Sequence, residues 1–290
     1  MTTLEKVPHG REPSGTATTG TFTRIIAVAN QKGGVGKTDL TVNLSCQLAA
    51  AGKRVLLIDM DPQANSTSYL VGPETRIDKT TADLLLDDGV SLADVLIKGC
   101  RENLDVAPAS GDLSACQIRL ANDINMQFKL KKKLRELKEG LEYDYVVIDT
   151  PPSLGLLTVN ALVASDYALL SAEAQYFALQ GVEQALEVIE LARETLNPNL
   201  EWLGVVLNIS DMRTKHSREA FESLRTHFPQ KLIEATIRSS IAYAESAERA
   251  VSILDYRPDL GSDYLKVADE LLVRLDMGDA RKRLADLLGS

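Results

Sequence analysis

Apolar strand patterns alternate with amphipathic helical patterns along most of this chain. The strand patterns occupy residues 24–31, 54–59, 104–107, 143–149, 167–172 and 202–208. Helical patterns lie between them, at residues 40–51, 81–86, 91–97, 126–141, 156–164 and 179–195. Strands and helices that alternate at this spacing predict an α/β fold with a doubly wound, mostly parallel sheet flanked by helices.

Both ends of the chain depart from this alternation. Residues 1–23 are rich in Thr, Gly and Pro without a hydrophobic period, which predicts a flexible tail that is either a plain extension or a partner-docking arm. After the last strand, we expect helices at 215–227 and 262–277 and a short terminal helix at 279–288. We interpret residues 24–290 as a single domain.

A glycine-rich stretch separates the first strand from the first helix, and it consists of Lys32, Gly33, Gly34, Val35, Gly36, Lys37 and Thr38. A strand, such a turn and a helix N-terminus form a phosphate cradle, to which Lys37 adds a cation and Thr38 a hydroxyl ligand for magnesium. The strict pattern G-x-x-x-x-G-K-[ST] fails, because Gln31 takes the place of its first glycine. The chain instead carries K-G-G-x-G-K-T, with a second lysine, Lys32, at its head.

Acidic residues end two further strands of the predicted sheet. Asp59 ends the second strand, Asp61 lies two residues after it, and Asp149 ends the strand at 143–149. Ligands of open α/β sheets bind at the carboxyl ends of the strands, so these acids are expected beside the loop. Thr38, Asp61 and Asp149 would hold a magnesium ion, Asp149 through a water molecule. Asp61 would also orient or deprotonate the water that attacks a γ-phosphate. Asp59 fits a turn or cap residue equally well.

Composition narrows the choice of partners. The 290 residues include 32 basic and 41 acidic ones, a formal charge of -9, so any DNA or anionic membrane must be met by a local patch. Cys46, Cys100 and Cys116 lack metal-ligand spacing, which favours reduced thiols in a cytoplasmic protein. No apolar run is long enough to span a bilayer, and the N-terminus has no signal-peptide core.

Four sequence blocks resemble the deviant Walker A ATPases of the ParA/MinD superfamily, and in particular the Soj-like ParA-type partition ATPases. They are A-N-Q-K-G-G-V-G-K-T, V-L-L-I-D-M-D-P-Q-A-N-S-T, V-V-I-D-T-P-P-S-L and D-M-R-T-K, within residues 24–275. The resemblance implies ATP and magnesium as ligands. It also implies that Lys32 reaches the partner subunit's phosphates, that Lys37 and Thr38 serve the chain's own nucleotide, and that Asp61 and Asp149 are the switch I and switch II aspartates. Adenine rests on the resemblance, with Asn208 as a candidate base contact.

The family's cycle would then apply to this chain. ATP would close a sandwich homodimer, the dimer would bind nucleoid DNA without sequence preference, and a ParB-like partner would trigger a slow hydrolysis. Candidate DNA contacts, each equally consistent with ordinary surface charge, are Arg213, Lys215, Arg218, Arg238 and Arg249. The family's arginine-rich P-R-N-x-R-like block is replaced here by residues 237–242, so some DNA-contacting arginines are missing or displaced. The lysine-rich segment 126–141 is interpreted as a solvated face rather than a binding surface.

Asp39 departs from the family, which has Thr or Ser after the magnesium-binding Thr, where the hydroxyl can donate to the α-phosphate. A carboxylate gains about 0.3–1 kcal/mol from the helix dipole. Repulsion by a phosphate ~5 Å away, at an effective dielectric of ~20, costs roughly 3 kcal/mol. We therefore expect Asp39 to lie in the nucleotide loop and to weaken nucleotide affinity.

Three other functional interpretations remain beside the partition ATPase. Residues 280–288 are weakly amphipathic, as in MinD-like ATPases that cycle on membranes, but Asp279, Asp286 and the lack of an aromatic residue favour simple helix packing. A ParA-like ATPase that positions a protein cargo is a second reading. An electron carrier like the nitrogenase iron protein is disfavoured, because the cysteines are not in cluster-ligand contexts.

Overall fold

The computed structural model describes residues 23–275 except 73, 122, 139–141 and 154, together with residues 284 and 287. The expected tail, apart from Thr23, lies outside the described residues. The expected terminal helix also lies outside them, apart from Leu284 and Leu287.

Seven strands form one sheet in the order β3-β4-β2-β5-β1-β6-β7. Every neighbouring pair is parallel except β3 and β4, which are antiparallel. The strands are β1 (Arg24–Ala29), β2 (Val55–Asp59), β3 (Ile97–Arg101), β4 (Leu104–Ala107), β5 (Tyr145–Asp149), β6 (Tyr167–Glu173) and β7 (Glu201–Asn208). The predicted doubly wound, mostly parallel α/β sheet is therefore confirmed.

Helices cover both faces of the sheet, so the central strands are buried on both sides and read as unbroken apolar runs. One face packs against α1 (Lys37–Ala50), α2 (Asn65–Leu70), α10 (Ala242–Glu248), α11 (Ile253–Tyr256) and α12 (Pro258–Arg274). The other face packs against α3 (Thr81–Leu86), α4 (Leu92–Val95), α5 (Asp112–Leu120), α6 (Lys129–Lys133), α7 (Leu156–Ala164), α8 (Ala178–Thr195) and α9 (Lys215–His227). None of these helices is long and apolar enough to cross a membrane.

The register of the central strands brings their carboxyl ends together. Asp59 at the end of β2 is directly opposite Asp149 at the end of β5, and Val28 of β1 is opposite Asp149 on the other side. The chain leaves β1, turns through the glycine-rich loop and enters α1 at Lys37. The loop and both acids consequently share one edge of the sheet, as predicted.

The expected helix at 91–97 is wrong in its second half. The helix covers only Leu92–Val95, and Ile97 begins the antiparallel edge strand β3. β3 has no clean apolar alternation, Gly99 lies at φ 65°, and the pairing with β4 is irregular. An irregular, half-exposed edge strand leaves little periodic signal.

The expected single helix at 126–141 is also wrong over residues 126–138, and residues 139–141 lie outside the described residues. Two 3-10 turns, Met126–Phe128 and Leu134–Lys138, flank the five-residue α6. Lys133 is buried, and its ammonium donates to the backbone carbonyls of Asp87, Asp88 and Val90. The lysine run is therefore partly a structural anchor, which corrects its interpretation as a wholly solvated face.

Other differences concern short or shifted helices. The sequence patterns did not predict α2, α5, α10 or α11, of which all but α5 have seven residues or fewer. The last long helix begins at Pro258 rather than at 262, and proline suits the first turn of a helix because that turn needs no N–H donor.

Candidate functional site

The glycine-rich loop has the backbone shape of a phosphate cradle. Gly34 and Gly36 lie at φ 75° and 76°, in the left-handed region that favours glycine. A Cβ atom on Gly36 would also meet the Asn208 amide at 3.1 Å. Gly36 is the N-cap of α1, so the free N–H groups of the first turn of α1 face the loop.

The loop is braced from beneath by polar side chains of the neighbouring strands. Ser171 of β6 donates to the carbonyl oxygen of Val35 at 2.6 Å and accepts from the Asn208 amide at 2.7 Å. The same Asn208 amide lies 3.3 Å from the Gly36 carbonyl, and the Asn30 amide donates to the Ser171 carbonyl at 2.6 Å. Asn208 is buried and committed to the loop here, and its predicted base contact stays a prediction.

Sequence analysis did not single out Asn30 or Ser171 in this brace. Both stand where an apolar run is interrupted by, or ends in, a polar residue. A buried polar side chain needs a partner, and the partner here is the loop.

Lys37 lies over the loop as the motif predicts. Its side chain is only 6% exposed, and its ammonium donates to the Lys32 carbonyl at 3.2 Å. Burial lowers the pKa of Lys37, while the charges of Asp149 and Asp61 oppose that shift. A buried ammonium with so few partners is well placed to meet an anion.

Asp149 gathers hydroxyl groups from two helices. Its Oδ2 atom accepts from Thr38 at 2.9 Å and from Ser66 at 2.6 Å, and Thr41 lies 3.4 Å from Oδ1. Burial raises the pKa of Asp149, and the hydrogen bonds from Ser66 and Thr38 counter that rise. Sequence analysis missed Ser66 as a contact, although it lies in the quoted block A-N-S-T.

These oxygen ligands fit magnesium. Thr38 and Asp149 place a hydroxyl and a carboxylate oxygen side by side at the mouth of the loop. Among the residues that the structure describes, no group of three or more His, Cys, Asp or Glu side chains could hold a metal by itself. Magnesium ions in phosphate sites need only one or two protein ligands, because phosphates and waters complete the shell.

Asp59 and Asp61 are both buried, but they differ in how many hydrogen bonds they accept. Asp59 accepts from the Thr67 N–H and hydroxyl at 2.9 and 2.7 Å and from the Asp61 N–H at 3.0 Å, so it ties α2 to the end of β2. Burial, and then the charge of Asp149, raise the pKa of Asp59. Asp61 accepts from the Gln63 N–H at 2.9 Å.

Asp39 is a half-buried carboxylate at the first turn of α1. Burial raises its pKa to about 6, and the negative charge of Asp149 adds to the rise. Burial, and then the charge of Asp39, raise the pKa of the buried Tyr264 phenol. The charge of Asp39 is therefore close to the site and poorly solvated.

Lys32 at the head of the loop is held within its own chain. Its side chain is 50% exposed, and its ammonium is 2.8 Å from the Glu173 carboxylate at the end of β6. Gln175 donates to the other oxygen of Glu173 at 2.5 Å. Tyr176 and Phe177 follow, exposed and in edge-to-face contact with each other.

The candidate DNA contacts fall into two groups. Arg213, Lys215 and Arg218 lie in the turn after β7 and the start of α9, near the carboxyl edge of the sheet. Arg213 is 91% exposed yet binds Asp211 through both nitrogens at 2.8 Å, and Lys215 lies 3.4 Å from Glu219. Arg218 donates to two backbone carbonyls.

Arg238 and Arg249 make up the second group. Arg238 forms a 2.7 Å ion pair with Asp263 of α12, and Arg249 stacks over the Tyr256 ring, 4.8 Å from its centroid. The backbone of Arg238 pairs with that of Ser210, just before the turn that carries the first group, but its charge is largely neutralised by Asp263.

The chain matches known proteins over most of its length. A family model described as an AAA domain matches residues 23–202. The chromosome partitioning protein ParA of Myxococcus xanthus is 37% identical, over 96% of both chains. The sporulation initiation inhibitor protein Soj of Bacillus subtilis is 40% identical, over 86% of this chain and 98% of that protein.

A solved structure shares the fold and the ligands expected here. It is a cobyrinic acid a,c-diamide synthase of Mycobacterium smegmatis with a bound ATP analogue and magnesium, which is 31% identical with a TM-score of 0.75 over 89% of this chain and 97% of that one. Together with the two partitioning relatives, it supports the resemblance drawn from the four sequence blocks. The chain belongs to the AAA domain family and, within it, to the ParA/Soj-type partition ATPases.

Proposed function

We propose that this chain is an ATP-dependent dimerising switch that binds DNA without sequence preference and partitions a chromosome or plasmid with a ParB-like partner. The observation that carries the proposal is the braced glycine-rich loop, with Lys37 buried over it and Lys32 at its exposed rim. A protein assembly as cargo remains the alternative. The protein would act in the cytoplasm, associated with the nucleoid, and no membrane partner is proposed.

The geometry supports hydrolysis of ATP by positioning and electrostatics. The N–H groups of the loop and the Lys37 ammonium would hold the β- and γ-phosphates. Thr38 and Asp149 would hold magnesium, which supplies positive charge to the phosphate oxygens. Asp61, 6% exposed beside the charge of Lys37, would orient or deprotonate the attacking water.

Lys32 supports the proposal of a dimer. Its side chain is 50% exposed, and its only ion-pair partner among the described residues is Glu173, whose side chain is 17% exposed. Reaching the partner subunit's phosphates would require Lys32 to leave Glu173. The exposed aromatic pair Tyr176 and Phe177 begins three residues beyond Glu173 and would be covered by the same contact.

DNA would meet the first basic group, around Arg213 and Lys215. Both side chains are more than three-quarters exposed. The exposed Glu219 carboxylate can be replaced by a phosphate at little cost, whereas Arg213 would have to leave its two hydrogen bonds to the half-buried Asp211. Such contacts position the protein on the DNA backbone without reading sequence.

The proposed function predicts a slow ATPase that needs two stimuli. DNA and a ParB-like protein added together should raise turnover several-fold above the basal rate, and either alone should raise it less. Release of phosphate measures this. The Asp61→Ala variant should bind ATP but hydrolyse it slowly under all conditions. If the turnover of the unaltered chain does not change when DNA and the partner are added, the proposal is contradicted.

Lys32 and Glu173 should have opposite effects on dimerisation. Lys32→Gln should bind one ATP per chain yet stay monomeric. Glu173→Gln should lower the ATP concentration at half-dimerisation by about 1.5- to 5-fold, because a partly exposed ion pair contributes about 0.2–1 kcal/mol. Light scattering during an ATP titration gives both values.

The control for this pair removes a comparable exposed ion pair elsewhere. Glu142→Gln breaks the 2.7 Å pair with Arg54, which lies outside the loop, and should leave the midpoint unchanged. A dimer formed by Lys32→Gln as readily as by the unaltered chain would rule out the proposed reach.

Asp39 should weaken nucleotide binding. Asp39→Thr and Asp39→Asn should both lower the Kd for Mg·ATP at pH 7 by up to about tenfold. The repulsion is larger than this, but a carboxyl with a pKa of about 6 can take up a proton at pH 7 for about 1.4 kcal/mol, which limits the effect. Asp39→Glu retains the charge and should not tighten binding. Titration with a fluorescent ATP analogue measures the Kd, and equal values for Asp39→Thr and the unaltered chain would refute the effect.

A further inference from the structure

A second polar cavity lies away from the phosphate loop, beside α6. Its volume is about 380 Å³, within the range of small-molecule sites. None of its residues belongs to the loop, the acids or the basic groups described above. The cavity, called here the α6 cleft, is lined by Asp88, Asp123, Asn125, Phe128, Lys129, Lys131, Lys132 and Arg135.

The α6 cleft carries more positive than negative charge. Its lining has four cations and two acids in a protein whose net charge is -9. The acids are already engaged: Asp123 lies 2.8 Å from Lys129, and Asp88 lies 3.1 Å from Lys132 and 3.8 Å from Lys129. Among the described residues, no carboxylate pairs with Lys131 or Arg135, and the Lys131 ammonium donates to the neutral amide oxygen of Asn197 at 3.4 Å. A surplus of two positive charges is left for an anion.

Buried contacts fix the frame of the cleft. Lys133 is 4% exposed, and it donates to the carbonyls of Asp87 and Asp88 at 2.8 and 3.2 Å and also to that of Val90. It thereby holds the segment that carries the Asp88 carboxylate. The side chain of Lys129 is only 13% exposed between its two acids. Lys131, Lys132 and Arg135 are exposed on this frame, where an anion can reach them.

Phe128 adds an aromatic surface to this charged wall. Leu130 and Leu134, which follow it, are buried in the core, whereas Phe128 is only half-buried and lines the cleft. An aromatic ring beside cations suits a base joined to phosphates, because the base stacks on the ring while lysine and arginine meet the phosphates. Asn125 offers an amide that can bond a base edge.

We propose that the α6 cleft binds a phosphorylated nucleoside, with the base on Phe128 and the phosphates on Lys131, Lys132 and Arg135. The ligand is either a free nucleotide or a nucleotide of a single-stranded nucleic acid. The site is separate from the phosphate loop, and its occupation does not depend on the proposed partition function.

The test measures binding with the phosphate loop already saturated by Mg·ADP. The probes are uridine diphosphate, a ten-nucleotide oligothymidine and inorganic pyrophosphate, each titrated into the full chain. The double variant Lys131→Gln with Arg135→Gln should weaken the nucleoside-bearing probes at least tenfold. With the oligothymidine, the double variant loses two phosphate contacts. The slope of log K against log salt concentration should therefore become shallower by about 1.4, at about 0.7 per contact.

Phe128→Ala separates a nucleoside site from a generic anion site. It should weaken uridine diphosphate or oligothymidine and leave pyrophosphate unchanged. Binding of uridine diphosphate supports a free nucleotide, and binding of oligothymidine alone supports a nucleic-acid strand. Failure of both nucleoside probes to bind, or equal binding by Phe128→Ala, would overturn the proposal.

Two controls keep the result interpretable. The double variant Lys98→Gln with Arg76→Gln removes the same charge from exposed residues outside the cleft and should bind the probes normally. A loss as large as in the cleft variant would reduce the site to non-specific attraction and overturn the proposal. The basal ATPase rate should be unchanged in the cleft variants. An unchanged rate shows that the variants fold, and it keeps this test independent of the proposed partition function.

Discussion

The structure depends on two buried carboxylates set side by side at the ends of adjacent strands. Asp59 and Asp149 are fully buried and directly opposite in register, an arrangement that burial and mutual repulsion both oppose. Hydroxyl and N–H donors from α1 and α2 offset this cost, and the buried ammonium of Lys37 lies close enough for its pKa to respond to Asp149. The fold concentrates negative charge where a magnesium ion would relieve it.

Around this centre, the loop meets two kinds of partner. Ser171 and Asn208 fix the side of the loop that faces the sheet, so the loop has its shape before a ligand binds. Its rim carries Lys32, held by Glu173 in a contact weak enough to exchange. In the proposed function, Asp39 would repel the phosphates that Lys37 attracts and so would lower the affinity for nucleotide.

The sequence was sufficient to predict the central strands, the loop and the placement of Asp61 and Asp149, because buried parallel strands and glycine turns impose strong local patterns. It was insufficient for the contacts of Ser66 and Ser171, since a single polar residue does not reveal which distant group it bonds. β3 and the broken segment around α6 were missed for a different reason: tertiary contacts, such as those of Lys133, override weak local periodicity. Those same contacts build the α6 cleft.

Thermal unfolding of the chain with ATP, with and without magnesium, tests the central claim most directly. If the buried acids and the loop form one magnesium-dependent phosphate site, Mg·ATP at about 100 times its Kd should add about 2.7 kcal/mol to the free energy of unfolding and raise the Tm. ATP with a chelator should give a much smaller shift. An equal Tm with and without magnesium, or no shift in either case, would contradict the account.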